Sequence, residues 1–158
     1  MIQRIQTLWL TLVLALSVIA LFFPILILDI DVKGAVMKYP YFLFPKGEEN
    51  FFKPAYLLII LQSAVFIITL VSVFLYKKRI LQIRMLAFAL LCNVFYAGFI
   101  FLFAVKNASN EIPNGLDLAG MSYGLTAYFP FFQMFMLYLA QKAIKRDEIK
   151  VRSSDRLR

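Results

Sequence analysis

Apolar residues in this chain are gathered into four runs. The first extends from Ile5 to about Leu28, the second from Pro54 to Tyr76, the third from Met85 to Val105, and the fourth from about Leu118 to Ala140. None of them contains Asp, Glu, Lys or Arg. A membrane span takes roughly 20 mostly apolar residues, and each run reaches that length. Surface helices of a soluble protein keep a polar face for water, and these runs offer none. The pattern predicts an all-α membrane protein: a four-transmembrane-helix bundle with a short extended or hairpin segment in its first outer loop. It forms a single membrane domain over residues 1–158, with spans at about 5–28, 54–76, 85–105 and 118–140. Outer loops cover 29–53 and 106–117, an inner link 77–84 and an inner tail 141–158. A cleaved signal peptide is the alternative for the first run, with Arg4 as its basic end and Val18-Ile19-Ala20 as a cleavage site. Phe22-Phe23-Pro24-Ile25-Leu26 carries the run past that site, which favours a retained span.

Between the runs the period changes. Leu28-Asp29-Ile30-Asp31-Val32-Lys33 alternates apolar and charged residues, the mark of a strand. Gly34-Ala35 can turn the chain, and Val36-Met37-Lys38-Tyr39 can return it as a hairpin. Pro40 and Pro45 are expected to end regular structure. Tyr39, Tyr41, Phe42, Phe44, Phe51 and Phe52 crowd the same loop, as rings do at headgroup level. The loop therefore reads as a small cap on the outer membrane surface, and more sharply as a docking surface. Pro54 suits the first turn of a helix. Pro130 is expected to kink the fourth span, and Pro24 marks where the first gives way to extended chain. Pro113-Asn114-Gly115 is a turn signal. No internal repeat is visible, so an inverted-repeat transporter is not supported.

Composition agrees with the blocks: 62% of the 158 residues are hydrophobic and 16% charged, against about a quarter charged in soluble domains. Charge adds an orientation, because cytoplasmic flanks collect Lys and Arg. Arg4 precedes the first span; Lys77, Lys78, Arg79 and Arg84 crowd the inner link; Lys142, Lys145, Arg146, Lys150, Arg152, Arg156 and Arg158 fill the tail. The two outer loops hold only Lys33, Lys38, Lys46, Lys53 and Lys106, together with six of the nine acids. Both termini are therefore expected inside. The +8 net charge follows from this topology and from anionic headgroups, and implies no DNA partner.

Candidate chemistry is sparse. Gln62, Thr69 and Tyr76 lie seven apart on one face of the second span, and Ala89, Asn93 and Ala97 four apart on the third. The fourth run opens with Gly120 and Gly124, then carries Thr126 and Gln133. Small residues let helices approach and amides bond across the contact, so these positions read as helix packing. The alternative is a cavity for a lipid, quinone or small solute. Ion pathways place ionisable groups inside the membrane, and the spans have none. The chain contains no histidine, the commonest general base. Asp29 and Asp31 share a strand face that could hold a cation, but read as solvated charges. Glu48-Glu49 reads as a loop tip, and the lone Cys92 as a packing residue. No catalytic, metal or cofactor site is expected.

The tail is the most distinctive polar feature. Gln141 to Lys150 can extend the fourth helix, and Ser153, Ser154 or Asp155 can cap a last turn. A stop-transfer tail needs only a few cations, whereas here arginines run to Arg158. Lys145, Arg146, Lys150, Arg152, Arg156 and Arg158 are the candidate contacts to lipid or to an acidic partner such as a protein surface or ribosomal RNA.

Met1-Ile2-Gln3-Arg4-Ile5-Gln6-Thr7-Leu8 at the start and Val151-Arg152-Ser153-Ser154-Asp155-Arg156-Leu157-Arg158 at the end carry a resemblance. The chain resembles, over its whole layout, an uncharacterised four-span membrane protein family of Bacteroidota, a domain of unknown function. That resemblance brings no activity or cofactor. It implies a bacterial inner membrane, with the outer loops in the periplasm. The functional expectation is a non-enzymatic accessory subunit of a larger membrane complex, with a protein-export, translocon or ribosome contact through the tail. A carrier for a lipid or small molecule, using the polar faces of spans two to four, is the rival.

Overall fold

The computed structural model describes residues 3–32, 35–43, 56–104, 106 and 117–156. Four α-helices appear among them: α1 (Gln3–Ile19), α2 (Tyr56–Phe74), α3 (Arg79–Phe99) and α4 (Phe129–Arg156). Three strands accompany them: β1 (Leu26–Val32), β2 (Ala35–Tyr41) and β3 (Asp117–Tyr123). The strands form one antiparallel sheet in the order β2-β1-β3. This corrects the expected all-α, four-span bundle. The protein is helical with a three-stranded sheet. Among the described residues, only Tyr56–Phe74 and Arg79–Leu102 form helices long and apolar enough to cross a membrane.

The correction falls on the outer ends of the first and fourth apolar runs. α1 stops at Ile19 rather than near Leu28. Pro24 lacks an N–H, and its ring would strike the carbonyl of residue 20 in a continuing helix. The helix instead tightens, with Leu21 N–H bonding Val18 O at 3.1 Å and Phe22 N–H bonding Ile19 O at 3.0 Å. The apolar part of α1, Ile5–Ile19, is about 22 Å long at the helical rise, short of the roughly 30 Å hydrocarbon layer. In the fourth run, residues expected to be helical from Leu118 form β3, followed by a 3₁₀ turn (Leu125–Tyr128). Gly120 and Gly124 weaken a helix there, and β1 offers an edge that β3 completes. Pro130 then stands at the second position of α4, where it starts the helix rather than kinking it.

The hairpin lies where the alternation places it, extended two residues back into the apolar run. Register pairs Leu26 with Tyr41 and Val32 with Ala35. Pro40 sits inside β2 opposite Ile27 instead of ending it. β2 is an edge strand, so a missing N–H there costs no ladder bond. On its other side β1 pairs Asp29 with Gly120 and Ile30 with Leu118, leaving Ala119 as a bulge in β3.

Two apolar clusters hold the molecule together. Leu26, Leu28 and Ile30, one face of β1, pack with Tyr41, Leu43, Leu58, Tyr96 and Ile100 between the sheet and the helix ends. Leu10, Val13, Val65, Leu86, Leu137 and Ile144 pack between the helices. A π-helical turn (Ile100–Ala104) ends α3 and turns Phe101 against Tyr123 of β3, ring centroids 4.9 Å apart. Helix neighbours run α2–α3–α4–α1, and α1 meets α2 least extensively. Glu48-Glu49, Pro45, Phe44, Phe51, Phe52, Pro54, Pro113-Asn114-Gly115 and Arg158 lie outside the described residues.

Candidate functional site

Every helix buries one narrow stripe, and each stripe contains polar side chains. On α1 and the turn that ends it, it is Gln6, Leu10, Val13, Ser17 and Ala20; on α2, Leu58, Gln62, Val65, Thr69 and Ser72. On α3 it is Gln82, Leu86, Ala89, Asn93, Tyr96 and Ala97, and on α4, Gln133, Leu137, Ala140, Ile144 and Asp147. Successive positions lie mostly three or four residues apart, one helical face each time. Much of the remaining surface is apolar: Leu8, Ile60, Ile67, Phe88, Leu91, Phe95, Phe131 and Phe135 are all exposed. Only 28% of the α2 window and 33% of the α3 window are buried. In a soluble protein such apolar helices would be core, buried on most sides. Here amides and hydroxyls share the inner stripe with apolar side chains, and large apolar side chains also face outward.

The buried polar groups tie helices together at named points. Gln133 Nε2 donates to Ser17 Oγ at 3.1 Å, joining α4 to α1. Ser17 Oγ donates in turn to Val13 O at 2.9 Å. Asn93 Nδ2 donates to Pro130 O at 3.0 Å, joining α3 to the first turn of α4. Gln82 Nε2 caps the end of α2 by donating to Ser72 O at 2.8 Å, which gives a partner to a terminal carbonyl. The Gln62 amide and the hydroxyls of Thr69 and Thr126 have no hydrogen-bond partner among the described residues. Gln62, Ser17 and Ser63 line an otherwise apolar crevice of about 330 Å³ between α1 and α2.

Of the positions singled out from spacing, Gln62, Thr69, Ala89, Asn93, Ala97 and Gln133 are buried, whereas Tyr76 lies in the turn after α2 and is exposed. Gly120 and Gly124 are not helical. Gly120 lies in β3 beside Asp29, where an added Cβ would sit 3.6 Å from Oδ2. Gly124 accepts a close approach: its N–H bonds Ile25 O at 2.8 Å, and an added Cβ would fall well inside contact distance of the Pro24 carbonyl oxygen.

One end of the molecule gathers the cations. Gln6 of α1 donates to the Asp147 carboxylate of α4. Arg79, the first residue of α3, donates to the Asp147 carbonyl at 3.3 Å, and Gln141 Nε2 to Ile83 O at 3.4 Å. The start of α1, the α2–α3 link and the far part of α4 therefore share one end, opposite the sheet. A cleft of about 580 Å³ opens there between α3 and α4, lined by Lys78, Arg79, Arg84 and Glu148 with Ile80, Leu81 and Val151. Beside it, Lys145 and Ile149 line a smaller one of about 310 Å³ with Arg84 and Glu148. Arg146 and Lys150 are exposed on the same helix, and the backbone at Arg152 and Arg156 continues it. Spacing alone could have found Gln6, Leu10, Val13 and Ser17 as one face. It could not pair Gln6 with Asp147, 141 residues away. Asp29 and Asp31 share the face of β1 away from the core and are half-buried. Among the described residues no three Cys, Asp or Glu side chains converge as metal ligands.

A family model, the Domain of unknown function (DUF4293), matches residues 2–157, nearly the whole chain, and the chain belongs to that family. No curated protein and no solved structure matches it.

Proposed function

We propose that this DUF4293 protein is embedded in a bacterial inner membrane by its α2–α3 hairpin and serves, without catalysis of its own, as an accessory subunit of a larger membrane complex. The observation that carries the membrane part is the apolar outer surface of the helices. Each turns large apolar side chains outward and keeps buried amides or hydroxyls among the apolar residues of its inner stripe. That arrangement is stable where the surrounding solvent is hydrocarbon. The end holding Lys78, Arg79, Arg84 and Lys145 faces the cytoplasm on this reading, with both helical termini, and the sheet faces the periplasm. The subunit part rests on polar elements at both ends, the sheet on one side and the basic end of α4 on the other. An acidic partner suits that basic end, and protein-export machinery is the host to test first.

Two measurements decide it. The chain is expected to stay with membranes through alkaline carbonate washing, and release into the soluble fraction would refute the membrane reading. A gentle detergent pull-down with mass spectrometry is expected to recover one partner complex in stoichiometric amount. The crevice of about 330 Å³ beside Gln62 supports a second reading, a carrier for a lipid-like molecule. Recovery of the chain without a partner, with a lipid held in that crevice, would favour the carrier over the subunit.

A further inference from the structure

We infer that the cleft between the start of α3 and the far part of α4 is a binding site for the phosphate headgroup of an anionic phospholipid. The inference rests on the membrane reading and adds a ligand and a place. Lys78, Arg79 and Arg84 line the cleft with one carboxylate, Glu148, and Lys145 borders it. The excess of cations over carboxylate suits an anion. The first turn of α3 adds to this. Lys78 occupies the position before the helix without a side-chain cap on the N–H groups that follow, and Arg79, Ile80 and Leu81 line the cleft itself. Such N–H groups carry partial positive charge and favour phosphate oxygens.

Lipid is favoured over a free anion by what lies below the cleft. Leu81, Arg84, Phe88, Leu91 and Phe95 recur every three or four residues on α3, one face of the helix. All five are exposed. Arg84 is thus the charged head of an apolar stripe running toward the membrane interior. A phosphodiester at Arg84 leaves its acyl chains against Phe88, Leu91 and Phe95. The basic side of the membrane is also where anionic lipid attracts Lys and Arg most strongly, about fivefold in affinity for each favourable cation.

The test uses the full chain in neutral detergent and three titrants: phosphatidylglycerol, phosphatidylcholine and inorganic phosphate. Bound lipid is read by native mass spectrometry and protection by thermal unfolding. Phosphatidylglycerol is expected to be retained and to raise the unfolding temperature, with phosphatidylcholine and inorganic phosphate doing neither. Arg84→Gln combined with Lys145→Gln is expected to weaken phosphatidylglycerol binding at least about tenfold, while Arg84→Lys keeps it. Both positions are exposed, and circular dichroism checks that each variant is folded. Equal retention of phosphatidylcholine, equal protection by inorganic phosphate, or unchanged binding by the folded double variant would each overturn the assignment. Failure of the membrane reading shows separately, as a chain that leaves the membrane in carbonate.

Discussion

Alanine at position 124 probes the junction that separates this fold from a plain helical one. Gly124 links β3 to the turn before α4, and its N–H bonds Ile25 O at 2.8 Å. A Cβ there would stand 3.1 Å from the Pro24 carbonyl carbon and 3.2 Å from Ile25 O, and nearer still to the Pro24 oxygen. The atoms it meets are backbone, so no side chain can swing away. The φ of −68° is ordinary, so the constraint is steric and involves no left-handed conformation. Overpacking of this kind costs about 1–3 kcal/mol, and displacement of the Gly124–Ile25 hydrogen bond adds about 1 kcal/mol. Gly124→Ala should therefore destabilise by about 2–4 kcal/mol, on the order of 10 °C in unfolding temperature. Gly120→Ala is the internal control. Its Cβ would be 3.6 Å from Asp29 Oδ2, ordinary contact, and should change stability by under about 0.5 kcal/mol. Thermal unfolding of both variants in one detergent, followed by circular dichroism, makes the comparison. Equal stability of Gly124→Ala and the parent, or equal loss at both positions, would refute the packing described for this junction.

Other predictions concern the inner stripe and the basic end. Gln6→Leu removes the donor to the nearly buried Asp147 carboxylate and should cost about 1.5–3 kcal/mol in a denaturant titration. The Gln6→Leu, Asp147→Leu double variant should be less damaged than the two single losses added together, and simple additivity would show that the pair does not interact. Ser17→Ala breaks the α1–α4 contact with Gln133 and should cost about 0.6 kcal/mol, typical of bonds between helices in membranes; a loss above about 3 kcal/mol would mean that the hydroxyl does more. For orientation, Cys92→Ala supplies a background for single cysteines at Met37 in β2 and Lys78 in the link. A membrane-impermeant maleimide on spheroplasts should label position 37 at once and position 78 only after lysis, and the reverse pattern would invert the proposed orientation.

Much of this was legible in the residues. α2 and α3 occupy the second and third apolar runs because nothing interrupts them: neither run holds a glycine or a proline between Ala55 and Tyr96. The hairpin was legible from the alternation of Asp29 and Asp31 with Ile30 and Val32. The stripe positions Gln62, Thr69, Asn93 and Gln133 were legible from helical spacing. The ends of the first and fourth runs were not. Leu26, Leu28 and Ile30 alternate inward, but Ile27 is apolar too, so a period of two cannot be told from an unbroken helical run. β3 contains Leu118, Ala119 and Met121 around a glycine, and on its own favours no structure strongly. It becomes a strand because β1 presents an unpaired edge nearly ninety positions earlier in the chain.

Gln6 and Asp147 show the same division. Each looks like a surface residue when read locally, and only folding brings α1 beside α4 so that they meet. The sequence by itself determined where hydrocarbon-compatible helix can form and at which end positive charge collects, because both depend on residue type and local spacing. Tertiary structure decided where helix stops and sheet begins, which polar groups meet, and that Arg84 lines a cleft with Glu148 and Val151 of α4. Those depend on partners distant along the chain, and local periodicity carries no information about them.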